Sequence, residues 1–328
     1  MSHPWWTAVR LLVGGAIVAF LVHRLGTGPF VDGVRLVDLS SLAAAAAIAV
    51  VTTACCAWRW RLVARGLGIG LPMRTAVAAY YRSQFLNTVL PGGVLGDVHR
   101  GVHHGRGVGD VGRALRAVVW ERSAGQAVQV VLALVVLLLV PSFVQPVMPF
   151  VAGGLAVAAL VVGLVVVLTP RVLPPGGASL GARALRTAVA DLRAGVMTQR
   201  AWPGIVLAST VAVAGHLATF LIAARTAGSG ASTARLLPLA LLALVAMSVP
   251  TNIAGWGPRE GVAAWAFGVA GLGAALGVTT AVVYGVMVLV ASLPGAGVLV
   301  VDWLRRDPAP TPASTPAPVP SPEGVAHG

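Results

Sequence analysis

The stretch NTVLPGGVLGDVHRG, residues 87–101, contains a proline, four glycines, an asparagine, an aspartate and an arginine, although long apolar runs surround it. Proline and glycine interrupt helices, and charged side chains are costly in lipid. A helix that simply crosses a bilayer avoids this combination. The stretch therefore predicts a break in a membrane helix, and the path of the chain at that break decides the fold.

The whole chain has the composition of a protein solvated by lipid. Its 328 residues are 57% hydrophobic and 10% charged, and the mean hydropathy is +0.87, whereas soluble domains carry about 25% charged residues. The apolar runs are long and continuous, unlike the short alternating strands of a membrane barrel. We therefore predict an all-α polytopic membrane protein.

The charges of the chain exclude several function classes. The net charge is +13, and all 23 basic residues are arginine. The arginines cluster in loops between apolar runs, which indicates the positive-inside bias rather than nucleic-acid binding. A phosphate-binding loop with lysine cannot occur without lysine, so we do not expect ATP-driven pumping. The adjacent Cys55 and Cys56 offer no disulfide or metal spacing, and no cofactor is expected.

Eight apolar runs are long enough, or nearly so, to cross a bilayer. They cover residues 9–23, 39–58, 117–140, 150–169, 202–224, 236–253, 261–277 and 279–303. About eight crossings predict that both termini face the cytoplasm, which agrees with Arg305 and Arg306 after the last run. We expect the protein in the plasma membrane, with an integral membrane domain over residues 1–306 and a disordered, Pro/Ala-rich tail over 307–328.

Segment 75–99 does not fit a single crossing. The arginine-rich loops at 59–82, 100–116 and 170–200 are all predicted to be cytoplasmic. A single crossing by 75–99 would place one of its two flanking loops outside. The segment is therefore predicted to enter the membrane and return, and broken backbone at that depth is tolerated only when it is buried in protein or lines a wet cavity.

A second stretch, SVPTNIAGWGPREG at residues 248–261, repeats the same kinds of residue. It has a proline, an asparagine, glycines and an adjacent arginine and glutamate, and it also follows an apolar helix. We predict two related halves, roughly 1–170 and 200–303. Transporters often place their binding sites at interrupted helices in corresponding halves.

The residue types of both motifs suit a phosphate group. A helix amino terminus attracts anions, glycine allows close backbone approach, and arginine binds phosphate with two hydrogen bonds. We expect Arg100, Arg259 and Arg82 to hold the phosphate, and Asp97, Glu121 and Glu260 to orient and balance these arginines. The remaining predicted site residues are Asn87, Pro91, Gly92, Gly93, Gly96, Arg122, Asn252, Gly255 and Gly257. The structural alternative is that Pro and Gly are plain kinks and packing contacts, with Arg259 and Glu260 as an ion pair.

Histidines give weaker signals. His99 and His103 have the spacing of a metal pair on a helix, but the glycines between and around them argue against a rigid helix. His216 lies inside the run 202–224, where either a functional role or one helix–helix hydrogen bond explains it.

The order and spacing of these motifs resemble the flippase-like membrane domain of lysylphosphatidylglycerol synthases. The resemblance is carried by Asn87, Leu90-Pro91-Gly92-Gly93, Gly96-Asp97, Arg100 and Glu121-Arg122, and then by Pro250, Gly255, Gly257 and Arg259-Glu260-Gly261. It covers about residues 9–303. One departure is Leu95-Gly96, where the family usually has two glycines before the aspartate.

The resemblance implies an integral membrane protein linked to moving lipids or lipid-linked headgroups between leaflets. Because residue 307 begins the predicted tail, the chain resembles a stand-alone member without the aminoacyl transferase domain, and synthesis of aminoacyl lipids is not expected. The expected ligand is an anionic membrane lipid or a polyprenyl-phosphate-linked substrate. The alternatives are a membrane transferase that uses a lipid-phosphate donor, with Asp97 or Glu121 as base, and a non-catalytic partner of an envelope-lipid enzyme.

Overall fold

The computed structural model describes residues 4–90, 93–172, 179–248 and 256–304, and its regular elements are α-helices with one short 3-10 turn. The predicted tail at 307–328 lies outside the described residues. The helices are α1 (Pro4–Leu25), α2 (Gly28–Arg35), α3 (Leu39–Gly66), α4 (Met73–Val89), α5 (Leu95–Val108), α6 (Val111–Leu139), α7 (Met148–Val172), α8 (Leu180–Gly195), α9 (Trp202–Thr226), α10 (Thr233–Met247), α11 (Pro258–Val269), α12 (Ala274–Ser292) and α13 (Pro294–Leu304).

Several helices have the length and composition of membrane spans. Within the described residues, five segments qualify: α3, α6, α7 with the 3-10 turn before it, α9, and α12 together with α13. The pair α1 and α2 makes a sixth if it is counted as one span, although it is bent by 99°. The prediction of an all-α polytopic membrane protein is confirmed, and the number of about eight crossings stays a prediction.

Three predicted boundaries are wrong. Helix α6 begins at Val111 rather than at residue 117, so Glu121 and Arg122 lie well inside it. Helix α3 continues to Gly66 instead of ending near residue 58, because Leu62, Val63 and Ala64 extend its apolar surface; Arg59 therefore lies inside a helix rather than in a loop. The apolar chain from 261 to 303 divides at the turn between α11 and α12 and not at residue 278. Gly271 and Gly273 form that turn with φ of 72° and 94°, a backbone region that favours glycine.

Helices α4 and α5 form a hairpin, as a segment that enters and returns requires. The chain reverses after Leu90, and Gly93 has φ of 60°. Gly96 at the start of α5 packs on the backbone of α4 so closely that a Cβ there would lie 2.1 Å from the Ser83 carbonyl oxygen. Pro91 and Gly92 lie outside the described residues. The placement of this hairpin in a bilayer stays a prediction.

The order of helices repeats along the chain. Helices α3–α6 and α9–α12 each run as a long helix, a helix before a break, a helix after it and a further helix, and α3 packs against α9. The turns that end α3 and α9 also match, with Gly68 and Gly228 at φ of 77° and 88° and the same pattern of backbone hydrogen bonds. This repetition is what two related halves predict.

Each repeat has its own apolar core. One core packs α3, α4 and α6 around Trp60 together with Ile205 and Ala212 of α9, and the other packs α9–α12 around Phe220 and Phe267 together with Ala45 of α3. The two cores leave an open space between the repeats, where both broken motifs meet.

Candidate functional site

A cavity of about 590 Å³ lies between the two repeats and is lined by residues of both broken motifs. Helices α3, α4, α5 and α6 contribute one side, and α9–α12 contribute the other. Its charged lining residues are Arg59, Asp97, Arg122 and Arg259, and its polar uncharged ones include Ser83, Gln84, Asn87, Gln126, Gln129, Ser209 and His216. Apolar residues such as Ile48, Val213, Leu244 and Met287 complete the wall. The lining therefore offers both charged and apolar contacts to a ligand.

Glu121 joins α3, α4, α5 and α6 in one ion network. Its Oε1 accepts from Arg59 Nε at 2.8 Å, from Arg59 Nη2 at 2.5 Å and from the Tyr80 hydroxyl at 3.2 Å, and its Oε2 accepts from Arg100 Nη2 at 2.6 Å. Arg59 Nη1 also donates to Ser209 Oγ on α9 at 3.0 Å, which links the two repeats. A buried carboxylate needs such partners, because unpaired charge in the interior is very costly.

Asp97 is the second carboxylate of this network. It accepts hydrogen bonds from Ser83 Oγ at 3.1 Å, Asn87 Nδ2 at 2.8 Å and Arg100 Nε at 2.9 Å, and it forms an ion pair with Arg122. Asn87 also accepts from the Gly96 backbone N–H at 2.8 Å, so it ties the end of α4 to the start of α5.

The ion network around Glu121 and Asp97 carries one surplus positive charge. Its guanidiniums are those of Arg59, Arg100 and Arg122, and its carboxylates are those of Asp97 and Glu121. Arg100 is fully buried, and its Cζ lies 4.6 Å and 4.4 Å from the ring centroids of Trp60 and Tyr80. The aromatic faces stabilise a guanidinium that has no water around it.

The second motif builds a smaller ion pair at the start of α11. Glu260 accepts from the Gly257 backbone N–H at 2.7 Å and from Arg259 Nε at 2.9 Å. Arg259 lies over the rings of Tyr284 and Trp256, with its Cζ 5.3 Å and 5.7 Å from their centroids. The pair is neutral as a whole, and Arg259 faces the cavity.

Two glycines make room for the cavity arginines. A Cβ on Gly125 of α6 would lie 2.5 Å from Arg59 Nη1, and a Cβ on Gly285 of α12 would lie 2.6 Å from Arg259 Nη2. Both glycines line the cavity, one in each repeat. A side chain at either position would push a guanidinium from its place.

The structure divides the predicted site residues into three groups. Asn87, Gly93, Asp97, Arg122 and Arg259 line the cavity. The buried Arg100, Glu121 and Glu260, together with Gly96 and Gly257, lie behind the wall and hold those residues in place. Arg82 pairs with Asp302 of α13, away from the cavity wall, and Pro91, Gly92, Asn252 and Gly255 lie outside the described residues.

Several residues of the site were not predicted from the sequence. Arg59 is the most important of them. The sequence signal that places it inside a helix is the apolar pattern, which continues after it until the glycine-rich turn at 66–70. Tyr80, Ser209 and Tyr284 gave no sequence signal, because ordinary core packing explains such residues equally well. Among the described residues, no group of His, Cys, Asp and Glu has the geometry of a metal site.

The fold and the cavity together define a polytopic helical membrane protein whose two broken helices face one charged cavity. The family model described as the lysylphosphatidylglycerol synthase TM region matches residues 7–295. The chain belongs to this family, which confirms the resemblance seen in its motifs and indicates a membrane protein involved in lipid handling. Searches of curated proteins and of solved structures gave no match at the significance required.

Proposed function

We propose that the protein moves an anionic lipid, or a lipid-linked anionic headgroup, from one leaflet of the membrane to the other. The observation that carries the proposal is the shared cavity. It presents Arg59, Arg122 and Arg259 beside amide, hydroxyl and apolar groups, and it reaches both broken motifs. A phospholipid likewise combines a charged headgroup with apolar chains.

The ion pairs of the cavity supply a way to bind and release an anion. Arg122 is the most accessible of the three arginines, with 37% of its side chain exposed, and its partner Asp97 is already held by three other donors. An entering phosphate can accept hydrogen bonds from Arg122 in place of Asp97, while Asp97 keeps its three other donors. When the phosphate leaves, the Arg122–Asp97 pair forms again, so neither state leaves a bare buried charge.

The buried carboxylates favour transport over a transferase reaction. Glu121 is fully buried and hydrogen-bonded to two arginines and a tyrosine, and Asp97 is engaged by four donors. A general base needs a lone pair that can reach the substrate. Their arrangement instead suits positioning of the arginines.

We further propose the plasma membrane as location, with both termini cytoplasmic. The clusters of arginines at 59–82, 100–116 and 170–200 support this orientation through the positive-inside bias. The ligand is an anionic membrane lipid or a polyprenyl-phosphate-linked molecule, and a membrane-protein partner that makes or uses this lipid is compatible with the same role.

A vesicle assay tests the proposal. Protein reconstituted into phosphatidylcholine vesicles is given a fluorescent phosphatidylglycerol or a fluorescent polyprenyl phosphate, and loss of fluorescence after a membrane-impermeant quencher reports lipid in the outer leaflet. Arg122→Gln and Arg259→Gln should slow the exchange of the transported probe at least about tenfold, because each removes a charge-assisted hydrogen bond of about 1.5–3 kcal/mol.

Arg113→Gln is the matched control on the helix of Arg122. Arg113 is about half exposed, pairs with Asp110 at the start of α6 and is not part of the cavity wall. Its rate should equal that of the wild type. If Arg122→Gln and Arg259→Gln also exchange the probe at the wild-type rate, the assignment of the site is overturned. If the wild-type protein exchanges neither probe, the proposed function is overturned.

A further inference from the structure

His216 is a titratable residue in the cavity that the proposed function leaves unused. It lies in α9 and lines the cavity, and its ring Nδ1 is 3.2 Å from the hydroxyl oxygen of Tyr284 on α12. The ring of Tyr284 lies in turn under the guanidinium of Arg259. His216 is therefore hydrogen-bonded to Tyr284, whose ring supports Arg259, the cavity arginine of the second motif.

We propose that His216 is a proton-binding site coupled to the anionic headgroup, so that a proton and the anionic lipid occupy the cavity together. The inference rests on the proposed function and names a second ligand for the same cavity. Histidine suits this role because its charge changes between about pH 5 and pH 8.

The charges around His216 supply the coupling. Arg59 of α3 acts on it electrostatically, and Tyr284 of α12 is hydrogen-bonded to it. Cys56, Asp97, Arg122 and Arg259 share the cavity wall with it, and α10 contributes the apolar Leu244 and Met247 to that wall. The described ion pairs of the two motifs contain four arginines and three carboxylates, which leaves one net positive charge. A protonated His216 adds a second positive charge in a poorly solvated place.

An anion in the cavity removes this penalty. A phosphate neutralises the surplus charge, so the imidazole binds a proton more readily when the anion is present. By linkage, the protonated imidazole must strengthen anion binding by the same factor. Proton and anion therefore enter and leave as a pair, which keeps the charge of the cavity nearly constant.

The hydrogen bond to Tyr284 links the protonation of His216 to the phosphate. With neutral His216, the Tyr284 hydroxyl donates to the bare Nδ1. When the imidazole takes a proton from the aqueous phase, Nδ1–H donates to the Tyr284 oxygen, and the hydroxyl hydrogen becomes free to donate to a phosphate oxygen. The proton returns to water when the phosphate leaves, so no other group is needed for balance.

Calorimetry on the full-length protein in nanodiscs tests the proposal with short-chain phosphatidylglycerol as the probe. Titrations in buffers of different protonation enthalpy give the number of protons taken up per bound lipid. We expect an uptake of about half a proton or more at the pH where the uptake is greatest, and an affinity at least about tenfold higher near pH 5.5 than near pH 8. His216→Gln should abolish the uptake and keep the affinity that the wild type shows near pH 8.

His103→Gln on α5 is the control, because His103 is exposed and is not part of the cavity wall. It should keep both the uptake and the pH dependence. Tyr284→Phe keeps the imidazole but removes the hydroxyl, and it should reduce the affinity difference between the two pH values. No uptake in the wild type, equal uptake in His216→Gln, or an unchanged difference in Tyr284→Phe overturns the proposal.

These measurements record binding and need no transport. Intact proton uptake without lipid exchange in the vesicle assay overturns the proposed function alone. Lipid exchange without uptake that depends on His216 overturns the proton site alone.

Discussion

Replacement of Glu121 by glutamine should strongly destabilise the folded protein, because this carboxylate forms ion pairs with two buried guanidiniums. The Glu121 side chain is fully buried and accepts hydrogen bonds from Arg59, Tyr80 and Arg100. Glutamine keeps the size and one acceptor oxygen but not the charge. Loss of one partner from a buried ion pair costs about 3–5 kcal/mol, mainly because the remaining charge is left unpaired.

Thermal unfolding of the detergent-purified protein, followed by tryptophan fluorescence, measures this loss. In domains of 150–250 residues, 1 kcal/mol shifts Tm by about 2–4 °C, and the shift is smaller in longer chains, so the variant should unfold several degrees below the wild type. The double variant Glu121→Gln with Arg100→Gln should recover part of the loss, because it removes one of the two uncompensated charges.

Asp191→Asn is the matched control for the loss of a carboxylate. Asp191 pairs with Arg116, whose side chain is 41% exposed, so its replacement should cost at most about 1 kcal/mol. A Tm for Glu121→Gln that equals that of Asp191→Asn would refute the view that Glu121 balances a buried charge network.

Two further predictions concern the hairpin. Gly96→Ala places a Cβ 2.1 Å from a backbone oxygen of α4, so it should destabilise the protein by about 1–3 kcal/mol in the same unfolding assay; Gly107→Ala on the same helix meets open space and should be neutral or stabilising. Cysteines placed at the exposed positions 70 and 106, in a chain without its own cysteines, should react with an impermeant maleimide from the same side of the membrane. Labelling from opposite sides would contradict the re-entrant hairpin.

Much of the fold was predictable because it depends on composition and local pattern. The apolar runs identify an all-helical membrane protein, and the proline and glycines at 91–93 and the glycines at 255–257 mark where helices are interrupted. Arginine-rich loops on both sides of 75–99 favour a hairpin. The short runs were less informative, since an apolar stretch does not show where one helix ends and the next begins.

The site was predictable only in part. Asp97 and Arg259 stood out because charged residues beside helix breaks are rare in membrane proteins, and Arg122 was named through the family resemblance of the Glu121-Arg122 pair. Arg59 did not stand out, because it lies near one end of an apolar run among arginines that resemble a cytoplasmic flank. Its neutralising partner Glu121 is 62 residues away in the chain, and a sequence does not show which charges will pair.

By itself, the sequence determined the class of protein and the two places where helices break, and it predicted the kind of ligand that suits them, since hydrophobicity, backbone flexibility and charge are properties of the residues themselves. Only the tertiary structure decided which arginines face the cavity and which support it from behind. That division depends on packing between helices distant in the chain. This packing buries Arg100 against Trp60 and Tyr80 and leaves 37% of the Arg122 side chain exposed.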